Sequence, residues 1–314
     1  MRKSALALSA VLVTLTLTGC SPSATLACEP SGSGEQVEAI EVSTNVQAKP
    51  TVSFPSPMTA EAIQSRVVVE GSGNVFTGRN AIDIEFAQYN GGTGALLQET
   101  DFDGVNPAPA SFGPKTSPKF CSALVGAKEG SRVAVLFPAQ DAHEGKGVPE
   151  SDIAPTDSIV FVFDVVRVYL EKSQGSAVAP QAGLPTVVTT PEGIPGITIP
   201  KTEAPSELKI AQLIKGSGPQ VKPEDEVSVH YSGFLWEDGY KFDSSWETER
   251  PIRFVNAPGQ LIAGFLAAVQ DQPVGSQVLV VIPPELGYGD AQNGLIPPNS
   301  TLIFVIDILG TKSK

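Results

Sequence analysis

The chain has 314 residues, of which 41% are hydrophobic and 18% charged, so it is long for one hydrophobic core and suits two domains. Its 27 Pro and 30 Gly predict many turns, at least one linker and no long helices. The formal net charge of −13 repels nucleic acid and anionic lipid headgroups, which excludes the nucleic-acid-binding classes.

The N-terminus, residues 1–19, has the pattern of a lipoprotein signal peptide. Arg2 and Lys3 precede an apolar run that is too short to span a bilayer comfortably. The run ends in Leu-Thr-Gly-Cys20, which resembles the bacterial lipobox, where a peptidase cuts before a Cys whose thiol has been acylated. We expect Cys20 to carry a diacyl anchor, which would be the contact with the membrane. Removal of the signal peptide with Arg2 and Lys3 would change the net charge from −13 to −15. The alternative is a plain signal peptide with an incidental Cys.

Residues 20–48 are predicted to form a flexible tether, because their first part is rich in Ser and Gly. Cys28 and Cys121 remain beyond the anchor. Outside the cytoplasm such a pair favours a disulfide over two thiols or a metal site, and no C-x-x-C spacing supports zinc. The alternative is a buried free Cys121 with an exposed Cys28.

An internal repeat at an offset of 145 residues determines the predicted architecture. Gly-Ser-Gly at 71–73 recurs at 216–218. Other matched pairs are Phe86 with Tyr231, Gly94 with Gly239, Phe120 with Phe265 and, at an offset of 143, Phe161 with Phe304. We therefore predict two copies of one domain, over 49–170 and 206–314. The Pro-rich segment 171–205 between them is either a semi-rigid spacer or an ordered arm packed on its own domain.

Within the second copy the hydrophobic pattern is mostly that of strands. Val227, Val229 and Tyr231 alternate with polar residues, which is the period of a half-buried strand. The segment after Gly259 differs, because Leu261, Ile262, Phe265 and Val269 share one face of a short helix. Antiparallel strands wrapped over one short helix make an α+β domain.

Four motifs of the second copy occur together in a known order. They are VHYSG at 229–233, DGYKFDSS at 238–245, LGYG at 286–289 and IPPNSTLIF at 296–304. Over about Glu207 to Thr311 the copy resembles the FKBP-type peptidyl-prolyl cis-trans isomerases. The resemblance implies two tandem FKBP-like domains, each a twisted antiparallel β-sheet wrapped around a short α-helix, with a ligand pocket between sheet and helix.

The resemblance also implies the residues of that pocket. The family's catalytic positions fall on Tyr231, Phe242, Asp243, Ile262, Phe265, Tyr288 and Phe304. Its further substrate-binding positions fall on Ile252, Leu261, Leu295 and Ile296. In the family, the backbone N–H at Ile262 and the hydroxyl at Tyr288 hold carbonyl groups of the ligand, and Asp243 adds a polar contact. Two departures are Phe265, where the family often has Trp, and a shorter loop between Gly289 and Leu295.

An aromatic pocket without a nucleophile suits prolyl isomerisation. Rotation about an X-Pro amide meets a barrier of roughly 20 kcal/mol because resonance holds the amide planar. The half-rotated amide is less polar than the planar one, so a dry aromatic pocket favours the twisted state, and about 1.36 kcal/mol of preference gives about tenfold in rate. This chemistry needs no cofactor and no metal.

The first copy keeps the core and lacks the pocket chemistry. Phe120 and Phe161 are retained, but Leu97 and Gln98 stand at the Phe242 and Asp243 positions, and His143 stands at the Tyr288 position. His143 beside Glu144 is interpreted as a solvated pair rather than a catalytic dyad. We expect the first copy to be a degenerate domain of low or no isomerase activity that either binds peptide or acts as a spacer.

The sequence therefore predicts a lipid-anchored, extracytoplasmic prolyl isomerase whose second copy is the enzyme. The expected partners are proline-containing unfolded or surface polypeptides and, by the resemblance, immunosuppressant macrolides. A non-catalytic peptide-binding chaperone lipoprotein is the alternative. A solute-binding lipoprotein is disfavoured, because the repeats are β-rich rather than built of alternating βαβ units.

Overall fold

The computed structural model describes residues 25–313. The predicted signal peptide and its lipidation site Cys20 lie outside the described residues. Within 25–313, no helix is long and apolar enough to cross a membrane.

The described chain consists mainly of β-strands with short helices between them. An N-terminal segment contains α1 (Glu35–Glu38), β1 (Glu41–Val42) and β2 (Val52–Ser53). The first copy contains β3 (Gln64–Val69), β4 (Ile82–Asn90), β5 (Leu96–Glu99), β6 (Ala108–Ala110), α2 (Pro118–Leu124), β7 (Arg132–Phe137), α3 (Ala139–His143), a 3₁₀ turn at Pro149–Ser151 and β8 (Ile159–Val168). The connecting segment contains β9 (Ser176–Ala177), β10 (Thr186–Thr189) and β11 (Pro195–Thr198). The second copy contains β12 (Lys209–Lys215), β13 (Glu226–Leu235), β14 (Lys241–Ser244), β15 (Ile252–Val255), α4 (Ala263–Val269), β16 (Gln277–Ile282), a 3₁₀ turn at Pro284–Leu286 and β17 (Leu302–Lys312).

The two large sheets have the same strand order. In the first sheet the order is β3-β7-β8-β4-β5, and β6 pairs with β4. In the second the order is β14-β13-β17-β16-β12-β9, and β15 pairs with β13. All neighbours in both sheets are antiparallel. Replacing β3, β4, β5, β6, β7 and β8 by β12, β13, β14, β15, β16 and β17 converts the first order into the second, read in reverse. The second sheet has β9 of the connecting segment as an additional edge strand. The predicted α+β fold with two tandem repeats is therefore confirmed.

One face of each sheet packs against its short helix. In the second copy α4 buries Phe265, Ala268 and Val269 against the sheet. The helix approaches the sheet closely at Gly264, where an added Cβ would lie 2.4 Å from Ile282 Cγ2. In the first copy α2 buries Ala123 and Leu124 in the same way.

The opposite face of each sheet is covered by the segment that precedes it. Val37 and Ile40 are fully buried against Leu136 and Val160 of the first sheet. The flexible tether predicted over 20–48 is therefore wrong from residue 25 onward, because the segment supplies apolar side chains that cover the outer face of the sheet. The arm likewise packs on its own domain, with Val187 and Ile197 of β10 and β11 against the second sheet. Of the two alternatives for 171–205, the ordered arm is the one observed.

A disulfide joins Cys28 of the N-terminal segment to Cys121 of α2, with the Cα atoms 6.0 Å apart. Cys121 is fully buried next to Phe120 on the same helix. The bridge therefore ties the beginning of the described chain to the helix that covers the first sheet.

A buried ion pair holds the loop of the N-terminal segment against the first sheet. Arg132 on β7 is 0% exposed and forms two hydrogen bonds to Asp164 on β8, Nε to Oδ1 at 2.6 Å and Nη2 to Oδ2 at 2.7 Å. Its remaining N–H groups donate to the backbone oxygens of Ser43, at 2.7 Å, and Ala48, at 2.8 Å. Burial raises the pKa of Asp164, so the pairing with Arg132 is what keeps that carboxylate charged.

The two copies contact each other through a second buried charge. Arg253 on β15 forms an ion pair with Asp83 on β4 and donates from Nη2 to the Ile82 oxygen at 3.0 Å. Its guanidinium lies 4.5 Å from the centre of the Tyr169 ring, and the Tyr169 hydroxyl donates to Asp83 Oδ2 at 2.9 Å. Burial and the Asp83 charge raise the pKa of Tyr169 to about 12, so the hydroxyl remains a donor. These contacts connect the first copy to the strand that carries Ile252.

Removal of Arg132 alone is expected to destabilise the first copy strongly. Arg132→Met leaves the Asp164 carboxylate buried without a partner, which costs about 3–5 kcal/mol. The double variant R132M/D164L removes both charges and should recover part of that loss, but not all, because two backbone oxygens also lose their donor. Calorimetric unfolding of the three proteins measures this, and a single variant as stable as the double would contradict the role of the ion pair.

His230 should make the second copy acid-sensitive. The ring lies on β13, stacks on Trp246 at 4.0 Å and has Nδ1 2.8 Å from Ser245 Oγ. Burial lowers the pKa of His230 to about 3 from an ordinary value of about 6.5. Between these values the unfolded chain takes up a proton that the folded chain does not, so stability falls as the pH drops below about 6.5.

Acidification from pH 7 to pH 5 should therefore cost the wild type about 2 kcal/mol through this one group. His230→Gln should lack that part of the pH dependence, while His143→Gln in the first copy serves as the matched control. Thermal unfolding of the second copy at both pH values measures the effect. Equal acid sensitivity of the wild type and the His230 variant would contradict the predicted contribution of His230 to the pH dependence of stability.

Candidate active site

Aromatic side chains from three strands and one helix meet between the second sheet and α4. Phe265 of α4 and Phe304 of β17 are buried, with ring centres 5.2 Å apart and ring planes at 83°. Tyr231 of β13 stands edge-on to Phe265 at 5.9 Å, and Phe242 of β14 stands edge-on to Phe304 at 5.6 Å. Edge-to-face packing is one of the arrangements that aromatic pairs prefer, so the four rings form one ordered group.

Gly233 makes room for this arrangement. Its strand pairing places it directly beside Asp243 on one side and Phe304 on the other. An added Cβ would lie 2.6 Å from Phe242 Cζ and 2.9 Å from a Phe304 ring carbon. A side chain at this position would push the Phe242 ring away from Phe304, so the aromatic wall needs a residue without a Cβ.

Two tyrosine hydroxyls and one carboxylate form the polar part of the site. The Tyr231 hydroxyl donates to Asp243 Oδ2. Burial, followed by the hydrogen bond and the charge of Asp243, raises the pKa of Tyr231. Burial and Asp243 also raise the pKa of Tyr288, which lies at the surface beyond the second 3₁₀ turn. Both hydroxyls therefore stay protonated at neutral pH and can donate hydrogen bonds.

The family resemblance predicts the backbone N–H of Ile262 as a donor to the ligand. Ile262 is the N-cap of α4, with φ −60° and ψ 145°. The N–H groups at a helix start have no partner within the helix, so this one is directed away from the helical hydrogen bonds. Leu261 and Ile262 are half-buried and pack against the same core as Phe265.

The remaining predicted residues are divided between the core and the surface. Ile252 on β15 packs on the edge of the aromatic cluster, and Ile296 is buried within it. Leu295 is 64% exposed and lies outside that cluster, so the structure does not bring it to the aromatic group. It immediately precedes Ile296, whose backbone pairs with Asn293 across the loop tip, and this turn directs the two side chains differently.

Two residues of the site were not predicted from the sequence. Phe254 is buried edge-on to Phe265 at 5.8 Å, and Gly233 separates Phe242 from Phe304 as described above. The alternation of Ile252 with Phe254 along one strand is a signal that could have identified the first. The need for Gly233 becomes visible only through the register between strands.

The chemistry of the assembled groups is that of binding rather than bond cleavage. The site contains aromatic rings, the hydrogen-bonded pair of Tyr231 and Asp243, the Tyr288 hydroxyl and the N–H of the α4 N-cap. No cluster of three or more His, Cys, Asp or Glu side chains that could hold a metal ion occurs within 25–313. Such a site can accept an apolar ring and hold the polar groups beside it.

The first copy presents a different set of groups at the same place. Gln88 on β4 lies directly opposite Gln98 on β5 and Phe161 on β8. These three residues form a cross-strand row that corresponds to Gly233, Asp243 and Phe304 in the second copy. Two carboxamides thus replace a carboxylate and a glycine. His143 is held by the loop backbone, with Nε2 2.7 Å from the Asp157 oxygen and Nδ1 accepting from Gly147 N at 2.9 Å. Glu144 pairs instead with Lys146, so the adjacent His and Glu serve the loop separately.

Comparison with known proteins finds one matching family model and several similar curated proteins. Residues 218–309 match the family model described as FKBP-type peptidyl-prolyl cis-trans isomerase. An FK506-binding protein of Streptomyces anulatus is 39% identical over 117 residues, which are 37% of this chain and 94% of that protein. A probable FKBP-type peptidyl-prolyl cis-trans isomerase of Haemophilus influenzae is 31% identical over 247 residues, 77% of this chain and 91% of that protein.

A solved structure is also similar in sequence. The crystal structure of FkpA from Escherichia coli is 33% identical over the aligned part, with 43% of this chain and 54% of that chain covered and a TM-score of 0.33. The family follows from the relatives, whose lengths are almost fully covered, together with the assembled pocket residues. The chain belongs to the FKBP-type peptidyl-prolyl cis-trans isomerases.

Proposed function

We propose that the protein is a lipid-anchored, extracytoplasmic prolyl isomerase that accelerates X-Pro isomerisation during folding of secreted or surface proteins. Catalysis takes place in the aromatic pocket of the second copy. The observation that carries the proposal is the edge-to-face group of Phe242, Phe265 and Phe304 with the Tyr231–Asp243 hydrogen bond at its side.

The pocket would lower the barrier by treating the two states of the amide differently. A planar X-Pro amide is polar and loses hydration when it enters an apolar site, while the twisted amide has less charge separation to lose. The rings would hold the proline, and the Tyr288 hydroxyl and the Ile262 N–H would hold neighbouring carbonyl groups. Rotation is then confined to the prolyl bond, with no covalent step.

The proposed location depends on the N-terminal sequence. The basic start, the short apolar run and Cys20 together resemble a lipoprotein signal. The Cys28–Cys121 disulfide supports an oxidising environment, because disulfides persist outside the cytoplasm. Proline-containing unfolded or surface polypeptides are the proposed clients, and FK506-type macrolides are proposed ligands of the same pocket.

A second candidate function is that of a peptide-binding chaperone without turnover. The phenylalanine cluster of the first copy favours it, since Phe120 and Phe161 remain while the polar residues of the pocket do not. In this case the whole protein would bind unfolded chains without accelerating prolyl rotation.

Phe242→Ala in the full chain should lower kcat/KM toward an X-Pro peptide by about tenfold or more, because the lost ring face contributes about 1.4 kcal/mol or more to the twisted state. Tyr240→Ala is the matched control, since Tyr240 is an exposed aromatic residue of the preceding turn. A protease-coupled assay measures both. Unchanged activity of the Phe242 variant would refute the assigned pocket, and a wild type inactive in this assay would favour the chaperone.

Cys20→Ser should abolish incorporation of labelled fatty acid and release the protein from the membrane fraction, because the acylated thiol is the proposed anchor. The double variant C28S/C121S, which lacks the disulfide and keeps Cys20, should remain labelled and membrane-bound. Cell fractionation after expression in a host that processes lipoproteins provides the measurement. A Cys20 variant that is still labelled would rule out this anchor.

A further inference from the structure

The first copy contains an open aromatic cleft of about 440 Å³. Its lining includes Gln88, Lys119, Phe120, Phe137, Ala142 and Phe161. Phe120 contacts Phe137 at 5.0 Å and Phe161 at 5.7 Å between ring centres. A volume of this size lies within the range of preformed ligand pockets, which are mostly apolar with a few polar groups.

The cleft walls are fixed by covalent and ionic contacts. Helix α2, which carries Phe120, is tied through Cys121 to Cys28. Helix α3 forms the next wall and is joined to α2 by Lys119. The Lys119 Nζ lies 3.2 Å from Asp141 Oδ1 and donates a hydrogen bond to the backbone oxygen of Asp141 at 2.9 Å. A site held in this way loses little freedom when it binds, which favours affinity.

The polar groups of the cleft match those of a polypeptide backbone. Gln88 lines the cleft, and its cross-strand neighbour Gln98 lies beside it in the row with Phe161. A carboxamide offers both donors and an acceptor, as the peptide group does. Lys119 is neutralised by Asp141, so the cleft has no unpaired charge to select an ion.

The same groups do not favour prolyl rotation. The hydroxyl and carboxylate that lie beside the second pocket, at Tyr231 and Asp243, are replaced in the first copy by Phe86 and Gln98. The cleft keeps an apolar floor and has Phe86 and His143 where the second copy has the Tyr231 and Tyr288 hydroxyls. It therefore has the means to bind a side chain and no arrangement to favour a twisted amide.

We propose that this cleft binds one aromatic or large aliphatic side chain of an extended polypeptide, with the adjacent peptide groups on Gln88 and Gln98. Binding here requires no proline and no turnover. The site is separate from the isomerase pocket of the second copy, so its existence does not depend on the activity proposed above. A client would be held at one copy while its prolyl bonds reach the other.

The test uses the full chain and a fluorescein-labelled, proline-free peptide of Ala and Ser with one central Phe, followed by fluorescence anisotropy. Ala142→Trp fills the cleft from an exposed helix position that lies outside the isomerase pocket. It should weaken binding by about tenfold or more while leaving the melting temperature and isomerase activity unchanged. Gln88→Ala should weaken binding by roughly two- to tenfold through lost hydrogen bonds.

Two controls separate this site from the isomerase pocket. Phe242→Ala should leave the affinity for the proline-free peptide unchanged, and a peptide with Ser in place of Phe should bind at least about tenfold more weakly. Loss of binding in the Phe242 variant with retention in the Ala142 variant would overturn the proposal. Equal binding of the two peptides would also overturn it, as would no binding of the Phe peptide to the wild type at about 1 mM.

Discussion

The contact between Phe265 and Phe304 underlies both the fold and the site of the second copy. Phe265 is on the buried face of α4 and Phe304 is on the central strand β17, so the contact fixes the helix on the sheet. The same two rings form the floor on which Tyr231 and Phe242 stand. Because the rings that hold the helix on the sheet are also those of the candidate site, the site is held as rigidly as the core, which the proposed differential binding of a twisted amide requires.

The two copies show which residues belong to the fold and which to the chemistry. Both have the same strand order, and Phe120 with Phe161 repeats the packing of helix on sheet. One part of the difference lies in a cross-strand row, where Gln98 and Gln88 replace Asp243 and Gly233, and further parts are Phe86, Leu97 and His143 at the positions of Tyr231, Phe242 and Tyr288. Side chains adjacent in such a row share one face of the sheet, so substitutions there change the surface of the site without altering strand pairing.

Much of the second copy could be predicted because its signals are local or are carried by motifs. The alternation of Val227, Val229 and Tyr231 predicts the central strand, and the spacing from Leu261 to Val269 predicts the helix, which the structure begins at Ala263. The packed N-terminal segment was missed, since its contribution rests on Val37 and Ile40 within a polar stretch. A few apolar residues give no periodicity, and their burial depends on an uncovered sheet face elsewhere in the chain.

The exposure of Leu295 and the unpredicted contribution of Gly233 have the same physical cause. Leu295 occupies a family position beside Ile296, but a tight turn exposes the first and buries the second. Gly233 lies in a strand, where a glycine is ordinarily a weakness, and its value appears only when β14 and β17 are placed on either side of it. Residue patterns record which side chains alternate along one strand, whereas the shape of a pocket depends on neighbours distant in sequence.

The contact between the two copies follows from the alternation of side chains along β15. Ile252 and Phe254 pack toward the aromatic pocket, so Arg253 between them faces the opposite side of the strand. There its guanidinium pairs with Asp83 and lies over the Tyr169 ring of the first copy. A buried ion pair contributes little net stability, because removing its charges from water offsets most of their attraction. It is nevertheless demanding in geometry, since Asp83 is buried and its carboxylate would lose its cation if Arg253 moved away. The first copy thus contacts the strand that forms the edge of the candidate site, even though other residues stand in the first copy at the positions predicted for prolyl rotation.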